Sequence, residues 1–331
     1  MTSKFIDGWR GVEVESDNES DNLNVSRLSI IDLYSESTSE QINELVRACE
    51  SVGAFFVKSP YLDTEFLMKI KEMMREYFSL EEHEKMENYI GKSNYHRGYF
   101  PTFEENAKDS DLKDFKEGFD FALHLPPDKE YPLHGPNVYS NTPTAFKKLS
   151  DEFFYRLIRT SEHICKYLAI GIGEEPNFFV PFLTKPLAQL RLLKYPSSSP
   201  KKPLLGAGAH TDYGLITLIW QDEVGGLEVK TREGDFYSIK PEEGYILCFL
   251  GDMMQRLTND EWRALEHRVV NQSSVDRFSA AFFFEPNFDA IIKPLDQFIC
   301  SQNPSRYEPI TMGEYLMDGF NGTFSYRNKS N

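Results

Sequence analysis

The chain has 331 residues, enough for one large domain or two small ones around a substantial core. A hydrophobic fraction of 40% and an aromatic fraction of 14% exclude a disordered protein, and a formal net charge of −16 opposes binding to nucleic-acid phosphates or anionic lipid surfaces. No nucleic acid and no membrane are therefore expected as partners; oligomeric state is not readable from the sequence.

The opening "MTSKFIDGWRGVEVESDNESDN" has no apolar signal core, and residues 1–26 read as a disordered acidic arm. No run of about 18 apolar residues could span a bilayer. The expected compartment is cytoplasmic or nuclear. The four cysteines, Cys49, Cys165, Cys248 and Cys300, lie far apart with no Cys-x-x-Cys pair, which fits reduced and mostly buried thiols.

Residues 27–186 read as a helix-rich N-terminal region packed on a core. Order begins at "LSIIDL", a short apolar run. A helix follows from about Ser39, with Ile42, Leu45, Val46 and Cys49 at helical spacing behind a Ser/Thr cap, and Gly53 stops it. "AFFV" reads as a buried strand, and a second helix starts behind Asp63. From Tyr95 to Asn141 the chain reads as loop-rich, with Gly98, Pro101, Gly118, Pro126, Pro127, Pro132 and Gly135-Pro136 as breakers. A long helix is expected to open at Thr142-Pro143 and end near Gly171, with Phe146, Leu149, Phe153, Leu157, Ile164 and Leu168 as its apolar stripe.

After Leu187 short strands repeat: "AQLRLLKYP", "GLITLIW", "GLEVK", "DFYSI", "YILCFL", "HRVVN" and "RFSAAFFF". "KTREGDFYSI" reads as a hairpin. Strands this closely spaced, without helices between them, favour an antiparallel barrel or sandwich over a doubly wound sheet. Residues 187–300 are thus the expected β core, and 301–331 hold a closing helix near "TMGEYLMDGF" and a polar tail. No internal repeat is evident, and the ordered part reads as one domain.

In "HTDYGLITLIWQ", His210 and Asp212 stand at i and i+2, which on a strand share one face. His267 opens another strand. If the two strands pair, two imidazoles and a carboxylate meet at one face of a metal and leave three octahedral positions open, the arrangement that suits Fe(II) and O2. Zinc would accept the same residues plus water. Arg277 and Ser279 share a face of "RFSAAFFF", where Ala281 and Phe283 continue it with no acid alongside; a buried guanidinium there wants a ligand carboxylate. Taken singly, each element has a plain alternative: a hydrogen-bonded His-Asp pair, a surface histidine, a solvated arginine.

Beyond these residues, "ACESVGAFFV", "RGYFP", "KEGFDFAL", "PLHGPN", "LRLLKYP", "HTDYGLITLIWQDEVGGLEV", "GDMMQRLTND", "LEHRVVN" and "RFSAAFFFEPNFDAIIKPL" follow one another in an order and spacing that is specific. From about Leu28 to Phe320 the chain resembles the isopenicillin N synthase-like family of Fe(II)/2-oxoglutarate-dependent dioxygenases. The resemblance implies a mainly β fold with flanking helices, built on a double-stranded β-helix (jelly-roll) core. It implies iron on His210, Asp212 and His267, and the distal carboxylate of 2-oxoglutarate on Arg277 and Ser279 with help from Tyr195. It further implies O2 as oxidant, ascorbate as an accessory reductant, and oxidation of a small molecule by hydroxylation, desaturation or ring closure with release of succinate and CO2.

Phe283, Arg97 and Tyr139 are candidates for the substrate pocket: Phe283 as lining, Arg97 as a contact for an anionic substrate, Tyr139 as part of the mouth. Two departures from the family pattern stand out. Leu193-Lys194-Tyr195 replaces Asn-x-Tyr, and "GPNVYSN" replaces Gly-Pro-Asn-x-Trp-Pro. Two other functions stay open at this point: an iron oxidase of the same fold that does not use 2-oxoglutarate, and a non-catalytic ligand-binding protein.

Overall fold

The computed structural model describes residues 28–34, 37–105, 114–198, 204–231 and 234–323. The expectations of an acidic arm over residues 1–26 and of a polar tail at "RNKSN" fall outside the described residues.

The N-terminal half holds β1 (Ile30–Asp32), α1 (Ser39–Ser51), β2 (Ala54–Lys58), α2 (Thr64–Phe78) and α3 (Glu82–Lys85). It continues through β3 (Gly98–Phe100), β4 (Glu117–Ala122) and α4 (Phe146–Gly171). The C-terminal half opens with β5 (Gln189–Tyr195), β6 (Leu204–His210), β7 (Ile216–Gln221), β8 (Leu227–Lys230) and β9 (Phe236–Ile239). Then come β10 (Ile246–Leu250), α5 (Asp252–Leu257), β11 (His267–Asn271) and β12 (Arg277–Phe284). The short pair β13 (Ile291–Ile292) and β14 (Ile310–Thr311) precedes α6 (Met312–Thr323).

Local signals set the helix ends. Thr38 caps α1 in a reciprocal box with Gln41, satisfying two otherwise orphaned backbone donors. Gly53 follows at φ +79°, a conformation glycine adopts without strain, and turns the chain into β2. Asp63 caps α2 by accepting from the Phe66 amide. The long helix departs from expectation: α4 starts at Phe146, and Thr142-Pro143 form a turn in which the Pro143 carbonyl accepts from the Phe146 amide.

An eight-stranded sheet in the order β1-β2-β10-β7-β12-β5-β4-β3 faces a four-stranded sheet, β6-β11-β8-β9. All pairs within the two sheets are antiparallel except β1 with β2. Side chains alternate across the large sheet. Phe55, Val57, Leu190, Leu192, Ile216, Leu218, Cys248 and Phe282 turn outward to a core shared with α1, α2 and α4. Ala54, Phe56, Leu193, Tyr195, Ile219, Leu247 and Phe249 turn inward and meet Ala207, Leu227, Val229, Ile239 and Val269 of the small sheet. Each large apolar side chain buried in this way contributes about 1.5–3 kcal/mol, so both faces of the large sheet are firmly held. The architecture is a jelly roll with helices on one side.

Among the strands absent from the sequence expectation, three bear on the site. β3 and β4 lie in the stretch that reads as loop, and the glycines of β6 hide it from an apolar pattern. β4 is buried along all six residues, yet its Glu117 and Asp120 mask it in the same way. Consequently β1 to β4 join the large sheet, which is not confined to residues 187–300. Among the described residues no helix is long and apolar enough to cross a membrane. Cys49, Cys165 and Cys248 are buried free thiols, and Cys300 is exposed.

Candidate metal centre

β6 and β11 pair antiparallel with His210 opposite His267, so two strand termini bring the imidazoles together at one edge of the small sheet. Their ring centroids lie 4.4 Å apart. Nδ1 of His210 is 2.7 Å from the Gly208 carbonyl and Nδ1 of His267 is 3.0 Å from the Leu265 carbonyl. With those nitrogens donating to backbone, each ring presents Nε2 as its free ligand atom. Phe249 packs against His267 at 4.9 Å and fixes the ring from the large sheet's side.

Asp212 is delivered by a loop rather than by the strand. β6 ends at His210, so the i, i+2 argument from a shared strand face does not apply, and a different device places the carboxylate. The N-terminus of α5 grips the loop: the Asp252 amide donates to the Asp212 carbonyl at 2.8 Å and the Met253 amide to the Gly214 carbonyl at 3.0 Å. Gly251 permits this approach, since a Cβ there would lie 2.4 Å from the Gly214 carbonyl oxygen. Asp212 Oδ1 ends 3.7 Å from His210 Nε2, and Oδ2 ends 3.9 Å from His267 Nε2.

These three ligand atoms lie within 4.8 Å of one another. One divalent ion with bonds of about 2.0–2.2 Å can bridge them after small side-chain adjustments. Asp212 Oδ2 is buried with no hydrogen-bond partner, a costly state for a carboxylate that a cation relieves. Burial lowers the pKa of His267 to about 4 against the opposing pull of Asp212, which keeps the imidazole in its neutral, ligating form. The donor set therefore fits a divalent transition metal with open positions.

Further along the inner face of β12, Arg277 is 1% exposed. Its Nε donates to the Gly225 carbonyl, its Nη2 donates to Gln221 Oε1 at 3.1 Å, and Nη1 is buried without a partner. The guanidinium lies 4.6 Å over the Tyr195 ring, and Tyr195 is opposite Arg277 in the β5–β12 ladder. An acid does come near: the charge of Asp222 acts on Arg277, although both Asp222 oxygens accept from backbone amides, of Phe278 and Val224. Ser279 donates its one proton to the Trp220 carbonyl at 2.7 Å, so donation to a ligand requires rotation of its hydroxyl. Arg277, Ser279 and Tyr195 are thus brought together in a buried interior with one guanidinium nitrogen, Nη1, unused.

The substrate-pocket candidates separate. Phe283 is on the inner face of β12, 5.8 Å from the Arg191 guanidinium. Arg97 is buried, and its Nη atoms donate to the carbonyls of Tyr95, His96 and Leu133, so it ties loops together; its charge also acts on Glu285. Tyr139 does not reach this pocket. Its ring stacks 5.6 Å from Phe121 and its hydroxyl donates to Asp151 of α4, on the helix-covered face of the sheet. The reason is alternation in β4, where Phe119 and Phe121 turn outward while Asp120 turns inward.

Sequence reading missed the charged wall beside Phe283. Arg191 makes two 2.8 Å contacts with Asp120 and one of 2.8 Å with Glu105, and Lys116 lies 2.8 Å from both Glu105 and Asp114. Burial works against the charge of Glu105, but Arg191 and Lys116 outweigh it and hold its carboxyl well below the usual range. The signal that was available is the period-2 alternation of β5, which puts Arg191 on the inner face with Leu193 and Tyr195.

A jelly roll with a His-Asp-His cluster at one end and a buried arginine deeper in the same barrel defines a non-haem iron oxygenase. Residues 28–142 match the family described as non-haem dioxygenase in morphine synthesis N-terminal, and residues 186–286 match the 2OG-Fe(II) oxygenase superfamily. Homoarginine-6-hydroxylase 2-ODD-C23.2 of Arabidopsis thaliana is 32% identical over 269 residues, covering 78% of this chain and 73% of that protein. Clavatol oxidase claD of Penicillium crustosum is 32% identical over 283 residues, covering 78% and 84%. A full-length Neurospora crassa protein, solved in complex with alpha-KG, superposes with a TM-score of 0.77 at 25% identity, covering 88% of this chain and 95% of that one. The chain belongs to the 2OG-Fe(II) oxygenase superfamily and is a dioxygenase that oxidises a small molecule.

Proposed function

We propose that His210, Asp212 and His267 hold the Fe(II) of this enzyme and that Arg277, with Tyr195 and Ser279, receives the distal carboxylate of 2-oxoglutarate. The observation that carries the reading is Arg277: a fully buried guanidinium with Nη1 unsatisfied, in the same barrel as a metal-ligand cluster with its own unsatisfied oxygen. Fe(II) would relieve the unpaired Asp212 oxygen, and a five-carbon keto-diacid held on that ion by its keto-acid end would offer its far carboxylate to Arg277. Iron, O2 and 2-oxoglutarate together supply the oxidising equivalents for a C–H bond, releasing succinate and CO2. The chain's own residues bind and orient: the β6–β11 ladder and α5 fix the three ligands, and the aromatic interior excludes water from the co-substrate.

The free thiols of Cys49, Cys165 and Cys248 support a reducing compartment, cytoplasmic or nuclear, and the net charge of −16 supports a small molecule rather than nucleic acid as partner. The relatives differ in activity, a homoarginine-6-hydroxylase in one case and a clavatol oxidase in another, so the pocket and not the family decides the substrate.

The test is anaerobic addition of Fe(II) and then 2-oxoglutarate to the purified protein. A visible charge-transfer band is expected in the wild type, absent in Asp212→Ala and requiring at least about thirtyfold more 2-oxoglutarate in Arg277→Leu, as expected for deleting one partner of a buried charge pair. No band in the wild type would favour an oxidase that does not use the co-substrate, and an unchanged 2-oxoglutarate requirement in Arg277→Leu would remove Arg277 from the co-substrate's site.

A further inference from the structure

The inner face of β12 begins with Arg277 and Ser279 and continues through Ala281 and Phe283 to Glu285, one residue past the strand's end. Glu285 is 3% exposed, and its Oε2 is buried without a hydrogen-bond partner. It lies against the loop that carries Asp212: a Cβ on Gly214 would come within 2.9 Å of Glu285 Cγ, so glycine there makes the room. Two more unsatisfied groups flank the same place. Phe283 is opposite Gln189 in the β5–β12 ladder and opposite Thr217 in the β12–β7 ladder, so all three side chains share the inner face. Gln189 Nε2 and Thr217 Oγ1 are both buried with no partner.

Three adjacent orphaned polar groups in a protein interior each cost free energy, and nothing in folding alone offsets it. They mark a place where a ligand completes the hydrogen bonding. The sign of the missing charge follows from the wall around it. Two buried cations, Arg191 and Lys116, already meet three carboxylates, Asp120, Glu105 and Asp114, and neither makes an ion pair with Glu285. Arg97 has its Nη donors on backbone carbonyls, and Asp212 adds a like charge nearby. Burial, with Asp212 beside it, outweighs the opposing pull of Arg97 and Arg191 and pushes the Glu285 carboxyl well above its ordinary range, a cost that an incoming cation removes.

We propose that Glu285, flanked by Gln189 and Thr217, is the recognition group of a substrate subsite for a cationic nitrogen, an ammonium, amidinium or guanidinium, beside the metal cluster. The inference rests on the iron and 2-oxoglutarate assignment above and narrows its substrate to a basic small molecule. It reverses the expectation of an anionic substrate at Arg97. Gln189 and Thr217 then select for a hydrogen-bonding group next to the charged one.

The experiment uses the anaerobic Fe(II)- and 2-oxoglutarate-loaded protein and a matched pair of probes, n-butylguanidine and its neutral isostere n-butylurea. The position of the charge-transfer band reports whether a probe enters beside the metal. In the wild type n-butylguanidine is expected to perturb the band at a concentration about tenfold lower than n-butylurea, or less. Glu285→Gln is expected to keep the unperturbed band and lose that preference. Equal response to both probes, response to neither at millimolar concentration, or a preference that survives in Glu285→Gln overturns the proposal. A wild type without any band instead overturns the cofactor assignment, so the two failures are distinct. A second measurement needs no ligand: Glu285→Leu should raise the Tm of the unloaded protein, because a carboxylate kept for binding destabilises the empty fold. A lowered Tm would show the carboxyl to be structural and would also overturn the proposal.

Discussion

His267 stands directly across from His210 in the β6–β11 ladder, so the register of a single strand pair sets the distance between two of the three metal donors. Asp212 is independent of that register. It is set by backbone hydrogen bonds from α5, an element that follows β10 and belongs to neither strand. The centre therefore has two separate supports, and they fail separately.

Asp212→Ala removes a buried carboxylate whose Oδ2 has no partner in the metal-free protein. The variant should be at least as stable as wild type without metal, since nothing is left unpaired by the change. Anaerobic Fe(II) at about a hundredfold over its Kd should stabilise the wild type by about 2.7 kcal/mol. That rise in Tm should vanish in the variant. A full Fe(II)-induced shift in Asp212→Ala would remove Asp212 from the centre.

Gly206 in β6 lies under the Tyr195 ring, and a Cβ there would sit 2.5 Å from Tyr195 Cδ1 and 3.1 Å from a Val269 methyl. Gly206→Ala should displace the ring from its place under the Arg277 guanidinium and raise the apparent Kd for 2-oxoglutarate. Iron affinity should be unaffected. Titrating 2-oxoglutarate against the charge-transfer band separates the two, and an unchanged Kd would show that Tyr195 does not position Arg277.

His134 is buried, both of its ring nitrogens lack partners, and burial lowers its pKa to about 4. An unfolded histidine titrates near 6.5, so between those values the unfolded chain holds a proton that the folded one refuses. The contribution of neutral His134 is complete above about pH 6.5 and is lost as the pH falls toward 4. Urea midpoints of wild type and His134→Leu should therefore diverge as pH drops from about 7 to about 4.5, in favour of the variant. Parallel midpoints across that range would contradict the assignment.

Arg191 holds Asp120 and Glu105 together in a buried network. Arg191→Ala should cost about 3–5 kcal/mol, because two carboxylates lose their counter-ion in a low-dielectric wall. Removing Asp120 as well should restore part of the loss. Chemical denaturation of both variants tests this, and simple additivity would mean that the pair is not coupled.

By itself the sequence determined the helices with strong caps, the strands with unbroken apolar runs, and the two histidines and Arg277 as chemistry-bearing groups. Those signals are local: a Thr38–Gln41 box, an "AFFV" or a "YILCFL" stands within a few residues. Tertiary structure alone decided the rest. β4 and β6 are strands because neighbours satisfy their polar and glycine positions, Arg191 pairing Asp120 across a ladder and Tyr195 filling the space over Gly206. Tyr139 falls on the far face of the sheet for the same reason, since a sheet's two sides are told apart only by what packs on each. The isolation of Glu285 is likewise invisible in "FEPN", because whether a carboxylate has a partner depends on residues brought close from elsewhere in the chain, and no spacing along the chain records who is missing.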